Sequence, residues 1–187
     1  MRIQIGRTNH GFDEPLGLLG DCHRRIEHFL RVLVTVDERL AGGPLDTEHR
    51  QALEGALKYF ETAAPHHTAD EEDSLFPRLR ASGDPGAQHA LSLVQDLQND
   101  HATADLHHAG VNALVRRWLA GNRLDEGEAQ SLREHLGALQ ALYRTHIALE
   151  DQELFPVAAR VLDSATLHEM GREMAARRGV SMPPDAP

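Results

Sequence analysis

The chain has few of the residues that several common classes of protein require. Its 187 residues include one cysteine, Cys22, so neither an intramolecular disulfide nor a cysteine-based zinc site can form. Phe, Trp and Tyr together make up 4% of the chain, and no basic tract is present, so surfaces for stacking on bases or neutralising phosphates are missing. With a formal net charge of −10, we predict that the protein does not bind nucleic acid.

Long apolar runs are also missing. No stretch approaches the roughly 20 apolar residues of a membrane-spanning helix. The N-terminal sequence Met1-Arg-Ile-Gln-Ile-Gly-Arg is not followed by the apolar run of a signal peptide. We therefore predict no membrane partner and a cytoplasmic location. A length of 187 residues, 41% of them hydrophobic, is enough for one domain with a substantial core.

Histidine is abundant, with 13 residues, and two of them begin a motif that occurs twice. The first copy reads His-Thr-Ala-Asp-Glu-Glu-Asp-Ser-Leu-Phe-Pro from His67, and 79 residues later His-Ile-Ala-Leu-Glu-Asp-Gln-Glu-Leu-Phe-Pro begins at His146. In each copy a Glu follows the His by four residues, so both side chains point from one face of a helix. A further His precedes each copy: His23 lies 44 residues before His67, and His101 lies 45 before His146.

Hydrophobic periodicity predicts four helices, which begin near residues 15, 47, 86 and 125. Turn sequences such as Gly42-Gly43-Pro44 separate them, and no segment shows the alternation of a strand. We predict an all-α fold, an antiparallel up-down-up-down four-helix bundle, to which a short C-terminal helix at about 163–176 can be added. The predicted organisation is an extended lead-in (1–14), the bundle (15–162), and a short helix with a flexible tail (163–187).

Six ionisable side chains fall on the apolar stripes of the predicted helices: His23, His67, Glu71, His101, His146 and Glu150. A buried charge is costly unless it is paired or binds a metal. Imidazoles and carboxylates without thiolates suit iron, manganese, zinc or copper, and six ligands exceed the needs of one tetrahedral zinc. They suit two metal ions, with the Glu pair bridging and two His on each ion. The alternative is a set of buried ion pairs that holds the bundle together.

The doubled His-x-x-x-Glu-(Glu/Asp)-x-x-Leu-Phe-Pro motif, with an upstream His in each half, resembles the hemerythrin-like (HHE cation-binding) family over about residues 15–160. The resemblance implies an up-down-up-down bundle around a non-haem di-iron centre. Two iron ions bridged by oxo or hydroxo are the implied cofactor, with zinc or manganese as alternatives. The implied metal ligands are His23, His67, Glu71, His101, His146 and Glu150.

The chain departs from the oxygen-carrying members of that family. The position four residues after His101 is Asp105, and the last pair is His-x-x-x-Glu. The chain therefore resembles the bacterial iron-binding and nitric-oxide-responsive branch more closely. It lacks the Cys-containing N-terminal domain of the iron-centre repair proteins in that branch.

Other residues near the motif have weaker signals. Asp105 and His108 share the stripe of His101, so each is a candidate for a seventh ligand or for a structural role. Ligand imidazoles need outer hydrogen-bond acceptors, and four side chains are available: Glu72, Asp105, Asp151 and Tyr143. The arginine pairs at 116–117 and 177–178 are interpreted as solvated, and Cys22 as a small buried residue.

Three classes of function are compatible with such a centre. The leading hypothesis is a non-enzymatic di-iron protein whose centre binds or reacts with a diatomic molecule, O2 or NO, or senses iron. The second is a di-iron enzyme (an oxidase, peroxidase or NO reductase), although the sequence shows neither a substrate pocket nor a proton path. The third is a metal-storage or structural bundle. The sequence does not indicate an oligomeric state.

Overall fold

The computed structural model describes residues 10–182, and helices are the regular secondary structure within this range. The α-helices are α1 (Pro15–Leu40), α2 (Thr47–Thr62), α3 (Ala64–Ala69), α4 (Phe76–Ala81), α5 (Gln88–Gly121), α6 (Glu126–Leu149), α7 (Phe155–Val161) and α8 (Ser164–Arg177). A first π-helical segment (Asp70–Leu75) joins α3 to α4, and a second (Glu150–Leu154) joins α6 to α7. A 3-10 turn (Pro85–Ala87) precedes α5. Most of the predicted lead-in and the last five residues lie outside the described range.

Local sequence explains where the long helices begin. Pro15 occupies the first turn of α1, where a missing N–H leaves no hydrogen bond unmade. Asp46 caps α2 by accepting the His49 N–H at 2.8 Å. Asp125 caps α6 in a reciprocal arrangement in which Glu128 accepts the Asp125 N–H.

The long helices pack side by side as a helical bundle. α1 contacts α2 and α6, and α5 contacts α6 and α2, so that these four helices surround a common interior. The predicted all-α bundle is confirmed at this level, whereas the strict up-down-up-down order stays a prediction. α8 corresponds to the predicted short C-terminal helix and packs onto the bundle through Met170 and Met174. Within residues 10–182, no helix combines the length and apolarity needed to cross a membrane.

The second and fourth predicted helices are each interrupted. Pro65, near the start of α3, follows a break after Thr62. Each π segment ends at the Leu of a Leu-Phe-Pro sequence, two residues before a proline. Pro77 and Pro156 lack a backbone N–H, and their rings would clash with a regular preceding turn. The N–H of the Phe in each motif instead reaches the carbonyl five residues earlier, that of Glu71 or Glu150. The same motif therefore produces the same irregularity in both halves.

Two apolar clusters fill the interior at different depths. The Trp118 cluster includes Leu33, Leu53, Val115, Trp118 and Leu132. The Phe76 cluster includes Leu19, Phe76, Leu97, Leu154 and Met170. On α1, His23 lies between residues of the two clusters, and on α5 His101 does so. A polar layer therefore separates the two clusters.

Candidate metal centre

The polar layer contains all six predicted ligands: His23 on α1, His67 on α3, Glu71 in the first π segment, His101 on α5, His146 on α6 and Glu150 in the second π segment. None of the six is more than 7% exposed. Each half of the sequence repeat contributes two imidazoles and one carboxylate. The structure thus brings together residues that are up to 127 positions apart in the chain.

The four imidazoles direct Nε2 toward the two carboxylates. His67 Nε2 lies 3.4 Å from Glu71 Oε1, and His101 Nε2 lies 3.3 Å from Glu71 Oε2. Glu150 Oε2 lies 3.1 Å from His23 Nε2 and 3.2 Å from the Nε2 atom of His146. Each carboxylate therefore faces imidazoles from both halves of the chain, as a carboxylate shared by two ions would.

Two groups of four residues can each hold a metal ion. We name them the His23–His67 site, with Glu71 and Glu150, and the His101–His146 site, with the same two glutamates. In each group, the candidate ligand atoms all lie within 4.8 Å of one another. Because the two groups share both carboxylates, they are adjacent sites of one centre.

Several buried polar atoms of this layer have no hydrogen-bond partner within residues 10–182. Nε2 of His23, Nε2 of His101 and both oxygens of Glu71 and Glu150 are buried without an aligned hydrogen-bond partner among the described residues. These atoms approach one another, but their orientations suit a shared cation better than mutual hydrogen bonds. Buried polar atoms in proteins are almost always bonded, so the unpaired atoms here indicate a bound partner. Imidazole and carboxylate donors fit metal ions of the iron type, and the two groups offer room for two of them.

Sequence comparison shows the family. The Hemerythrin HHE cation binding domain matches residues 14–158, which include all six candidate ligands and both π segments. The chain belongs to the hemerythrin HHE family. An uncharacterized protein of Haemophilus influenzae (strain ATCC 51907 / DSM 11121 / KW20 / Rd) is 31% identical over 171 residues, covering 90% of this chain and 92% of that protein. Membership in the hemerythrin family implies that the domain binds a metal, typically iron.

Outer carboxylates orient the imidazoles of this hemerythrin domain. Three Nδ1 atoms lie at hydrogen-bonding distance from an acidic side chain: His23 from Asp151 (2.8 Å), His101 from Glu72 (2.8 Å) and His146 from Asp100 (3.2 Å). Such partners fix the tautomer and the orientation of a ligand ring and raise its basicity. The Nδ1 atom of His67 is buried and has no hydrogen-bond partner among the described residues.

Burial and neighbouring carboxylates together set the pKa values of the side chains in the layer. Burial lowers the pKa of His23, but Asp151 and Glu150 outweigh it and raise the pKa well above its ordinary value. At His101, burial also lowers the pKa, but Glu71 outweighs burial and raises the pKa to about 9. At His67, burial dominates and lowers the pKa to about 4. Burial raises the pKa of Glu71, but His67 and His101 lower it well below its ordinary range. Glu71 is thus ionised, the form that binds a cation.

The C-terminal helix reaches the first π segment through a second charged group. Asp70 is fully buried and accepts hydrogen bonds from Arg177 (2.9 Å) and Arg178 (2.7 Å). Burial raises the pKa of Asp70, and the two guanidinium groups offset part of that rise. The interpretation of residues 177–178 as a solvated pair is therefore wrong. Arg177 and Arg178 connect α8 to the residue that precedes Glu71.

Two other sequence candidates lie outside the groups of four. His108 Nε2 lies 2.8 Å from Tyr143 Oη, and its ring lies against Phe60. Asp105 is exposed at the edge of the layer. Among the four proposed outer acceptors, Glu72 bonds to His101 and Asp151 to His23, both predicted ligands. Asp100 was missed because it is off the apolar stripe, and its one sequence signal is that it directly precedes His101.

A small cavity lies against the layer. Its volume is about 20 Å³, and its lining includes all four imidazoles of the layer but neither Glu71 nor Glu150. The other lining residues are mostly apolar or aromatic and include Ile26, Ala64, Ala104, Tyr143 and Ile147. A space of this size holds about one water molecule, so it also suits a diatomic molecule.

Proposed function

We propose that this hemerythrin domain binds two iron ions in the polar layer and that the centre takes up or reacts with a diatomic molecule, O2 or NO. The observation that carries the proposal is the pair of four-residue sites that share Glu71 and Glu150. When bound, the iron ions supply redox chemistry and open coordination positions. Zinc and manganese are the alternatives for the same donor set.

The residues of the chain have distinct roles in this proposal. His23 and His67 would hold one ion through Nε2, and His101 and His146 would hold the other. Glu71 would serve both ions, because its two oxygens face His67 and His101, which belong to different sites. Asp151, Glu72 and Asp100 keep three of the imidazole rings in orientation.

The cavity supports a diatomic ligand over an organic substrate. Its volume of about 20 Å³ is far below the several hundred cubic ångströms of a typical site for an organic molecule. All four imidazoles of the layer line the cavity, and most of its other lining residues are apolar or aromatic. We propose that this cavity admits the diatomic molecule, because the imidazoles that would hold the ions line it. A cytoplasmic location and the absence of nucleic-acid partners remain predictions.

One observation favours a second function, turnover of NO or peroxide. Tyr143 borders the cavity, and its hydroxyl lies 2.8 Å from His108 Nε2. A phenol bonded to an imidazole can pass a proton toward the cavity, as an oxidase, peroxidase or NO reductase requires. Catalytic consumption of NO or peroxide by purified protein, slowed at least tenfold in Tyr143→Phe, would support this second function. Stoichiometric uptake unaffected by Tyr143→Phe would exclude it.

The test of the leading proposal is iron content in matched histidine variants. After anaerobic reconstitution with Fe²⁺, wild-type protein should hold two ions per chain, and His67→Ala at most one. Glu150→Ala should lose both, because the two sites share this carboxylate. His49→Ala is the control, since His49 lies at the start of α2, where it bonds to Asp46. Addition of NO to the reduced wild-type protein should change its optical spectrum.

Two results would contradict the proposal. One is a single zinc per chain with no iron after reconstitution. The other is equal iron content in the wild-type protein and in the His67→Ala and Glu150→Ala variants.

A further inference from the structure

The two metal sites are surrounded by unequal sets of outer hydrogen-bond partners. We infer that the two ions bind with unequal affinity, and that the His101–His146 site fills first and holds its ion more tightly than the His23–His67 site. This inference rests on the proposed function, because it assumes that both sites take a metal ion.

One pair of these outer hydrogen bonds is equivalent in the two halves of the sequence repeat. The first-helix imidazole of each half bonds to the acidic residue that follows the bridging Glu of the other half. His23 Nδ1 lies 2.8 Å from Asp151, which follows Glu150, and His101 Nδ1 lies 2.8 Å from Glu72, which follows Glu71. Each site therefore receives one acceptor from this exchange, and the two sites are equivalent in that respect.

The symmetry fails at the second imidazole of each site. His146 Nδ1 lies 3.2 Å from Asp100, the residue directly before His101. The corresponding residue before His23 is Cys22, a buried thiol. A thiol is a weak hydrogen-bond acceptor compared with a carboxylate. The Nδ1 atom of His67, the counterpart of His146, accordingly has no hydrogen-bond partner among the described residues.

The missing acceptor weakens one site. Loss of an outer-shell partner costs about 10- to 100-fold in metal affinity, because the ring loses its fixed orientation and part of its basicity. The His101–His146 site has acceptors for both imidazoles, and the His23–His67 site for one. The two dissociation constants should therefore differ by about tenfold or more, in favour of the His101–His146 site.

Titration of the full-length apo protein with Co²⁺, followed by the visible absorption of the bound ion, measures both constants. Two unequal steps alone would not decide the matter, because repulsion between neighbouring cations also weakens the second step. The decisive comparison is Asp100→Ala against Asp151→Ala. Both carboxylates bond to a ligand imidazole, and both side chains are 38% exposed, so truncation leaves no buried void at either position.

The two variants should affect different steps. Asp100→Ala should weaken the first, tighter step by about tenfold, because it removes an acceptor from the site that fills first. Asp151→Ala should leave the first step within twofold of wild type and weaken the second. Asp96→Ala, an exposed carboxylate about one turn before Asp100 on α5, should change neither step.

The inference is overturned if Asp100→Ala leaves the first step within twofold of wild type, or if Asp151→Ala weakens that step as much as Asp100→Ala does. Binding of fewer than two Co²⁺ per wild-type chain would instead contradict the proposed function itself. The two failures are therefore distinguishable in one titration.

Discussion

The Trp118 cluster and the polar layer are built on the same helices at neighbouring depths, but they are stabilised in different ways. The buried members of the Trp118 cluster are apolar except for the indole N–H of Trp118, which donates to the Gly43 carbonyl at 2.7 Å. The polar layer buries six ionisable groups and leaves several of their atoms without hydrogen bonds. Among the described residues, the apolar region lacks no partner of this kind, whereas bound cations would supply the partners that the layer lacks. We therefore expect separate parts of one bundle to carry folding and metal binding.

The largest expected effect comes from removing the ions from the layer. Chelation should lower the free energy of unfolding by about 4 kcal/mol for each ion whose free concentration is a thousand-fold above the dissociation constant of its site, because the ions bind the native state preferentially. The effect should be much smaller at pH 5. The pKa of His101 without an ion is about 9, so its proton competes with the metal, and acid strengthens that competition.

Thermal melts with and without chelator at pH 7.5 and pH 5 measure this effect. Identical melting at pH 7.5 would show that the layer is complete without ions, and the contrast between the two regions would fail.

A cavity in the Trp118 cluster should reduce stability without affecting the metal. Leu132 is 1% exposed in that cluster, so Leu132→Ala should cost about 3 kcal/mol in the free energy of unfolding. Iron content should remain two ions per chain, since the substitution does not touch the layer. Urea denaturation of the metal-free protein and iron analysis measure the two quantities.

Leu106→Ala provides the matched control for that substitution. Leu106 is 75% exposed on α5, so its truncation should change stability by less than about 0.5 kcal/mol. A loss of iron in Leu132→Ala would indicate that the two regions are not independent.

His108 lies at the border between the two regions, and acid should reveal its burial. Burial and the neighbouring His107 lower the pKa of His108 to about 4, whereas an unfolded chain titrates near 6.5. Between these values the unfolded state binds more protons, so stability falls as the pH falls. At pH 5 the loss from this residue is about 2 kcal/mol relative to pH 7.

The metal-free His108→Gln variant, which cannot titrate at this position, should lose about 2 kcal/mol less than wild type between pH 7 and pH 5. Urea denaturation at the two pH values gives this difference. Parallel losses in the two proteins would show that His108 is protonated equally in the folded and unfolded states.

The smallest effect is expected at the start of α2, outside both regions. Asp46→Ala removes the oxygen that accepts the His49 N–H and should cost about 1 kcal/mol in the free energy of unfolding. Asp46→Asn keeps an acceptor at this position and should cost less. Metal content should not change in either variant. A change would show that the start of α2 influences the polar layer.

Periodicity predicted which residues share the interior but not how they bond. The stripe of α1 placed His23 between apolar residues, and the predicted start near residue 15 agrees with the observed start at Pro15. A one-dimensional pattern reports which side of a helix is buried, so all six layer residues could be found from it. Their action as metal ligands stays a prediction that the iron measurements test.

Contacts between helices could not be predicted in the same way. Asp100 bonds to His146 and Asp70 to Arg177, pairs separated by 46 and 107 residues. Whether a polar residue beside the stripe reaches a neighbouring helix depends on the packing of that helix, which the spacing does not encode. The π segments were also missed, although the proline at the same place in both repeats was a signal for them. The division of the chain into lead-in, bundle and tail stays a prediction.

The two π segments have a consequence for how this chain can vary in length. Each widened turn contains a residue more than a regular α-helical turn would use, and it spans the interval from the glutamate of the motif to its Phe. If one residue were deleted there, the Phe N–H would reach the same Glu carbonyl across a regular α-helical turn, so the residues beyond it would keep their direction. A deletion in a regular part of α6 would instead rotate everything beyond it by about 100°. The π segments are therefore the places in these helices where the chain can lose one residue while the polar layer and the Phe76 cluster stay in register.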